Sequence, residues 1–337
     1  MRTFRFFHCA LTVLCCFFGT TTIRAQESKE KPSSGSTIRM NVSRVDVGVT
    51  VTNSHGHFVK GLRSKDFKVF DNGVEQPLNS FASNEEAAQI VFLIEAGAED
   101  ALLARTGKSP FAAADTLVKS VSPGDRMAVV TYSEHATVNL ELTDDKLATR
   151  RALRDLNVQL RTVEAWSPSL NLAESLAETL DWLATVPGTK TIVLLSSGMD
   201  TSSDEAWQAA QEKLETSPVR ILGVSLFGDF RRPVKPTKLS PDQREDMAFV
   251  KKVMVESDRW MEELTSEAGG RIYFPKDAKE FQHSFEEISQ LVRGEYALEF
   301  VPASLDGRLH SIEIKLKHSG YNAEYRRAYR APSAPAS

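Results

Sequence analysis

Hydrophobic and polar residues follow three successive patterns along the chain, and the first covers residues 38–84. Apolar residues alternate there with polar ones at Val45, Val47, Val49 and Val51. This period of two predicts half-buried strands. Asn72-Gly73 predicts a tight turn between two further strands. We therefore predict an N-terminal β module over residues 38–84.

The second pattern covers residues 87–293, where short apolar runs alternate with helical spacing. Three runs predict fully buried strands: "QIVFLIE", "KTIVLLSS" and "VRILGVSLF". One helix is indicated by Leu172, Leu176, Leu180 and Leu183. Apolar strands that alternate with amphipathic helices are typical of a sheet covered on both faces. We predict the α/β class, with a doubly wound and mostly parallel sheet.

The third pattern returns to a period of two over residues 294–332. The alternating apolar positions are Tyr296, Leu298, Phe300, Ile312, Ile314 and Leu316. Asp306-Gly307 lies between the two runs and predicts a turn. We predict a C-terminal β extension to the α/β domain, and we find no internal repeat.

The first residues differ from the rest of the chain. Arg2 and Arg5 precede a short apolar stretch, and Ala25 precedes a polar segment. This arrangement predicts a signal peptide over residues 1–25, followed by a disordered linker over 26–37. A membrane anchor is the alternative, but the apolar stretch is shorter than the ~20 residues of a spanning helix. We expect a secreted or periplasmic protein without stable membrane insertion after cleavage.

Cysteine and charge narrow the function classes. The three cysteines, Cys9, Cys15 and Cys16, all lie in the predicted signal peptide, so the mature protein has no disulfide and no thiolate site. Removing three leader arginines from 41 basic residues leaves 38 against 45 acidic ones, a net charge of −7. This acidic balance argues against nucleic acid as a partner.

Candidate chemistry gathers where the apolar strands end. In a doubly wound sheet, ligands bind beyond the carboxyl ends of the strands. The first buried run ends at Glu95, in "IVFLIEAGAED", and the second runs into Ser196 and Ser197. The sequence therefore predicts that the first strand delivers the Glu95 side chain to a binding edge.

The order of elements resembles a known domain. A strand, a helix, two strands, two helices, "TIVLLSSGMD" and a final "GGRIYFP" resemble the von Willebrand factor type A (VWFA) domain. The flanking "GLRSKDFKVFDNG" and the tail resemble exported bacterial proteins described as VWFA-related, which are abundant in Acidobacteria. The resemblance covers residues 38–332.

The resemblance implies a metal-ion-dependent adhesion site, with D-x-S-x-S after the first strand, a Thr in a later loop and a further Asp. Oxygen ligands of this kind suit a hard divalent cation. The matched positions here are Glu95, Gly97, Glu99, Ser169 or Leu170, and Ser197. None keeps the usual residue, so we expect a degenerate site without bound metal. One alternative is a remodelled cation site using Glu95, Glu99, Asp100 and Asp200, and another is that these acids lie on a solvated rim.

A long polar segment at residues 227–246 follows the third buried strand and therefore belongs to the same edge. Its aromatic and basic residues include Phe230, Arg231, Arg232 and Lys235. Long irregular loops at binding edges are often functional. The segment is predicted either to dock a partner or to be a solvated insertion.

The sequence lacks the motifs of a zinc site, a phosphate loop and a nucleophile elbow. No His cluster has zinc spacing, "TGKS" lacks the first Gly of a phosphate loop, and "LLSSGMD" lacks the first Gly of a nucleophile elbow. We expect a non-enzymatic protein–protein interaction module without a cofactor. The alternatives are a metal-dependent adhesin with a carboxylate-rich site and an envelope scaffold that uses its β flanks.

Overall fold

The computed structural model describes residues 44–84, 87–97, 110–162, 169–226 and 240–333. The predicted signal peptide and linker, Glu99, Asp100 and residues 227–239 lie outside the described residues. The strands are β1 (Val45–Thr52), β2 (Phe67–Asp71), β3 (Val74–Gln76), β4 (Leu78–Asn84), β5 (Gln89–Glu95), β6 (Arg126–Tyr132), β7 (Ala136–Thr143), β8 (Lys190–Ser196), β9 (Arg220–Ser225), β10 (Arg271–Tyr273), β11 (Glu295–Phe300), β12 (Leu309–Leu316), β13 (Asn322–Glu324) and β14 (Ala328–Arg330). The α-helices are α1 (Pro110–Ser120), α2 (Lys146–Thr162), α3 (Leu172–Ala184), α4 (Asp204–Thr216), α5 (Pro241–Glu267) and α6 (Ala278–Leu291).

The central sheet has six strands in the order β10-β9-β8-β5-β6-β7. All neighbours pair in parallel except β6 and β7. This confirms the predicted α/β class with a mostly parallel sheet. Strand β5 lies between β6 and β8, where the winding direction reverses, so its carboxyl end lies at the position where such sheets form their sites.

Both faces of the sheet are buried, which explains the unbroken apolar run of β5. Ile90, Phe92 and Ile94 face a core completed by α1, α2 and α6. Val91 and Leu93 face the other core, completed by α3, α4 and α5. Because side chains alternate along a strand, Glu95 shares the face of Val91 and Leu93 and lies on the side of α3.

The N- and C-terminal β segments fold together. One sheet has the order β13-β1-β11-β4 and the other β14-β12-β2-β3. Val45 pairs with Phe300, and Val49 pairs with Tyr296. The sequence pattern predicts separate β segments over residues 38–84 and 294–332, whereas each sheet contains strands from both. A hairpin with one apolar face cannot bury that face alone, and the two sheets enclose a common core.

Helix α5 begins inside the segment that was predicted to be a loop. Residues 241–246 form its first turns, so the loop prediction of 227–246 extends too far. Pro241 begins the helix, where its missing N–H costs no hydrogen bond and its fixed φ suits the first turn. Among the described residues, none of the helices has the length and apolarity needed to cross a membrane.

Candidate functional site

Glu95 ends β5 and has no exposed surface. Its Oε2 accepts hydrogen bonds from the backbone N–H of Ser197 at 2.7 Å and from the hydroxyls of Ser196 and Tyr132, both at 3.1 Å. The Ser197 hydroxyl lies 2.8 Å from Oε1. Tyr132 ends β6 and Ser196 ends β8, so three adjacent strand ends supply one cluster. We call Glu95, Tyr132, Ser196 and Ser197 the Glu95 cluster.

The described groups that contact the carboxyl of Glu95 are neutral hydrogen-bond donors. Burial raises the pKa of Glu95, and the hydrogen bonds from Ser197, Ser196 and Tyr132 offset part of this rise. An ionised carboxylate without a cation is costly in an apolar interior. The arrangement therefore favours a protonated carboxyl that neutral donors hold in place.

A leucine covers the cluster from the side of α3. A Cβ atom built on Gly97 would lie 3.1 Å from Leu170 Cδ2 and 3.5 Å from Glu95 Oε1. Leu170 is buried, and Ser169 before it is half-buried. The resemblance matches the ligand Thr to Ser169 or Leu170, and of these two the alkyl side chain of Leu170 lies against Gly97.

Asp200 accepts a hydrogen bond from the first turn of α3. Its Oδ1 accepts from Leu172 N–H at 2.9 Å, and its Oδ2 accepts from the Trp207 indole N–H at 2.6 Å. Asn171, the residue before the helix, provides no side-chain cap, so Asp200 replaces it with a carboxylate that suits a helix N-terminus. Ser202 bonds to the same Oδ1 at 2.8 Å. Asp200 therefore joins α3 to α4.

For Glu95 and Asp200, these contacts correct the interpretation of the rim as solvated acids. Glu95 is buried and Asp200 is bonded to a helix start and an indole. Of the predicted site residues, the structure brings Glu95, Gly97 and Ser197 together. Glu99, Phe230, Arg231, Arg232 and Lys235 lie outside the described residues.

The cluster does not fit the divalent cation that the resemblance implies. Such a cation needs several free oxygen ligands in near-octahedral array. The carboxyl of Glu95 is already engaged by four donor groups, Gly97 has no side-chain oxygen, and Leu170 covers them. Among the described residues, no group of three or more His, Cys, Asp or Glu side chains is placed to hold a metal ion.

Sequence reasoning missed Tyr132 as part of this site, and it left open whether Ser169 or Leu170 belongs to it. A signal for Tyr132 was present, because "RMAVVTY" is a neighbouring buried run that ends in a polar side chain. Parallel strands bring their carboxyl ends to one edge, which places Tyr132 beside Glu95. No pattern in the sequence indicates that Leu170 turns inward.

A second buried cluster connects three strands of one β sheet, β2, β12 and β14, with the segment before β12. Asp71 has no exposed surface and accepts from Ala303 N–H at 2.7 Å and from the Tyr329 hydroxyl at 3.1 Å. Its Oδ1 lies 2.8 Å from His310 Nδ1. The other ring nitrogen of His310 lies 3.1 Å from Asp306 Oδ1. We call Asp71, Tyr329, His310 and Asp306 the Asp71 cluster.

Ser304 lies beside the Asp71 cluster and gives it an outward likeness to a hydrolase triad. Its Oγ lies 3.3 Å from His310 Nε2. A triad needs that nitrogen free to take the serine proton. Asp306 Oδ1 lies nearer to the same nitrogen, and Asp306 Oδ2 lies 3.0 Å from the Ser304 hydroxyl. The hydrogen bonds of His310 therefore run to two carboxylates, as in a structural clamp.

Comparisons with known proteins show likeness in structure alone. No protein-family model matches the sequence, and a search of characterised proteins finds no match either. A von Willebrand factor type A protein from Catenulispora acidiphila aligns with 80% of this chain and 74% of its own, at 13% identity and a TM-score of 0.45. An aerotolerance-related membrane protein from Bacteroides fragilis aligns with 61% of this chain and 98% of its own, at 12% identity and a TM-score of 0.42.

A third similar structure is the PilB minor pilin from Streptococcus sanguinis. It aligns with 65% of this chain and 63% of its own, at 10% identity and a TM-score of 0.42. The fold assignment rests on the strand order and helices described above rather than on these partial alignments. A six-stranded, mostly parallel sheet between helices is consistent with a fold like that of the von Willebrand factor type A domain.

Proposed function

We propose that the protein is a metal-independent, non-enzymatic protein-interaction module that works outside the cytosol. Its contact surface is the carboxyl edge of the central sheet together with the half of α5 that extends beyond this edge. The proposal is carried by the geometry of α5. Its location rests on the predicted signal peptide.

Helix α5 is longer than the sheet that it covers. A Cβ atom on Gly198 would lie 2.9 Å from Ser257 Cβ and 2.8 Å from Met261 Sδ, so Ser257 is level with the end of β8. Pro241 begins the helix sixteen residues earlier, so at 1.5 Å per residue about 24 Å of helix precedes Ser257. We call residues 241–256 the projecting half of α5.

The described side chains of the projecting half are not buried. Val255 is 63% exposed, and Lys251 and Lys252 are exposed as well. An exposed helix of this length gains little from propensity alone, and the core of the sheet does not need it. Contact with another protein would stabilise this extension. Val255 lies near Lys251 and Lys252, and this combination suits a partner surface with both apolar and acidic groups.

The Glu95 cluster supports independence from metal. Its donors already satisfy the carboxyl group, so a cation would have to displace four hydrogen bonds. The hydroxyls of Ser196 and Ser197 donate to the carboxyl of Glu95. This arrangement supports a structural role for the cluster rather than a metal-dependent adhesin.

Capture of partners from native envelope extract tests the proposal. The wild-type protein should capture the same partner in EDTA and in Mg²⁺, and Val255→Glu should abolish capture. Val158→Glu is the matched control, because Val158 is a similarly exposed valine (53%) on α2. Capture that EDTA removes and Mg²⁺ restores would favour the metal-dependent adhesin.

The scaffold alternative has one observation of its own. Val74 is 57% exposed on β3, which lies at the edge of its sheet, and exposed edge strands can pair with other chains. Truncation at Gly294 cannot test it, because β11 and β12 pair with β1, β4 and β2. Val74→Lys is the better variant, and it should abolish capture only if the scaffold interpretation is correct.

A further inference from the structure

A small cavity with aromatic walls lies between α3, α4 and α5. Its volume is ≈ 210 Å³, and Trp207 and Trp260 meet in it edge to face with ring centroids 4.6 Å apart. Leu176, Leu214 and Leu264 also line it. We call this cavity the tryptophan pocket. Small-molecule sites usually enclose about 300–1,000 Å³, so this pocket is the size of a single side chain.

The charged residues that line the tryptophan pocket are both acidic. Glu263 and Glu267 lie one turn apart on α5. Among the described residues, the ion-pair partner of Glu263 is the exposed Arg259 at 3.7 Å. Among the described residues, no cation lies within ion-pair distance of Glu267. Partial burial raises the pKa of Glu267, and repulsion from the nearby Glu263 and Glu215 raises it further. With only the exposed Arg259 as a described ion-pair partner, the two acids leave the mouth of the pocket negative.

The Trp207 ring is oriented and polarised by Asp200. The indole N–H donates to Asp200 Oδ2 at 2.6 Å. This bond holds the ring in one orientation and places a carboxylate at its positive edge. The face of an indole attracts cations through its negative quadrupole, and an anion at the edge strengthens that attraction. The bond also connects the pocket to the loop after β8, at the proposed contact edge.

We propose that the tryptophan pocket binds an arginine side chain of a partner protein. A guanidinium can stack flat on an indole while its N–H groups meet Glu263 and Glu267. Arginine suits the pocket better than lysine because its charge is planar and weakly hydrated. The inference rests on the proposed function and names the chemistry by which a partner would be recognised.

Short peptides test the pocket without knowledge of the partner. The probes are acetyl-Gly-Arg-Gly-amide and the same peptide with citrulline, a neutral analogue of similar shape. NMR of the mature protein, with ¹⁵N-labelled indole groups, reports on Trp207 and Trp260 directly. The arginine peptide should shift these two indole signals and bind at least about fivefold more tightly than the citrulline peptide.

A charge variant provides the second arm. Glu263→Gln with Glu267→Gln should weaken the arginine peptide at least about fivefold. Both side chains are exposed, so folding should be retained. The matched control is Glu212→Gln with Glu262→Gln, two exposed acids on α4 and α5 that do not line the pocket, and it should leave binding unchanged.

Three results would overturn the inference. These are equal binding of the arginine and citrulline peptides, an unchanged affinity in the Glu263→Gln/Glu267→Gln variant, and self-association that this variant abolishes. The last result would make a second copy of the chain the occupant. If the arginine peptide binds as expected but no envelope protein is captured, the pocket stands and the proposed function fails.

Discussion

Glu95 and Asp71 are two carboxyl side chains without exposed surface, and the protein satisfies them in different ways. Glu95, in the α/β part, is surrounded by hydroxyls and one backbone N–H. Asp71, in the sheet of β14, β12, β2 and β3, lies beside an imidazole whose other ring nitrogen meets Asp306. In the first arrangement burial raises the pKa of the carboxyl, and neutral donors hold it in place. The second links a strand to a distant turn through a histidine.

The largest expected effect comes from deleting each carboxyl. Asp71→Ala leaves an imidazole, a phenol and an amide without their acceptor and should lower the free energy of unfolding by about 3–5 kcal/mol. Glu95→Ala should cost about 1–3 kcal/mol, because its hydroxyl donors can turn to other acceptors. Urea unfolding of both variants measures the two values. A larger loss for Glu95→Ala would show that the Glu95 cluster, and not the Asp71 cluster, stabilises the fold more.

The two clusters should also respond to pH with opposite sign. The pKa of Glu95 is raised above 4.5, so between this value and the raised one the unfolded chain loses its proton first. The free energy of unfolding therefore falls as pH rises through that window. Glu95→Gln cannot lose a proton, so its stability relative to wild type should improve between pH 4 and pH 8.

Asp306 should give the opposite pH dependence of the free energy of unfolding in the same urea measurements. The backbone N–H of Arg308, together with Ser304 and His310, lowers its pKa below 3.8. Its stabilising effect is therefore present above pH 3.8 and lost as pH falls through the lowered pKa. Asp306→Asn should remove this acid-side loss and leave the Glu95 window intact. Identical pH profiles for both variants would contradict the contrast.

The smallest expected effect concerns the phenol of Tyr132. Tyr132→Phe removes one donor from Glu95 and should cost about 0.5–1.5 kcal/mol. Because the lost bond favoured the ionised form, the pKa of Glu95 should rise further and the cost should grow between pH 6 and pH 8. Urea midpoints at the two pH values measure this growth. A cost that does not change would mean that the phenol bonds only to Ser196, 2.7 Å away.

The elements of the fold could be predicted from sequence because they depend on local patterns. Unbroken apolar runs marked β5, β8 and β9, and alternation marked β1 and β11. Asn72 and Gly73 adopt the positive φ values that their turn requires. The pairing of β1 with β11 was not predicted, because a period of two says which face is buried but not which strand lies beside it.

The candidate site was predicted only as a location. Glu95 was placed at the sheet edge because it ends an apolar run, but its burial depends on Tyr132, Ser196 and Leu170, which come from other parts of the chain. The tryptophan pocket was missed for a similar reason. Trp207 and Trp260 each fit a helical pattern, and only the packing of α4 against α5 brings them together.

The pairing of β1 with β11 also determines when the molecule can be completed. Val45 meets Phe300, so this contact closes a loop of about 250 residues. A chain made from its N-terminus exposes the valines of β1 long before their partner strand exists. Strands β5–β10 have much nearer partners and can assemble first. Until β11 arrives, β1 is an unpaired apolar strand, and this is the interval in which the protein is most exposed to aggregation.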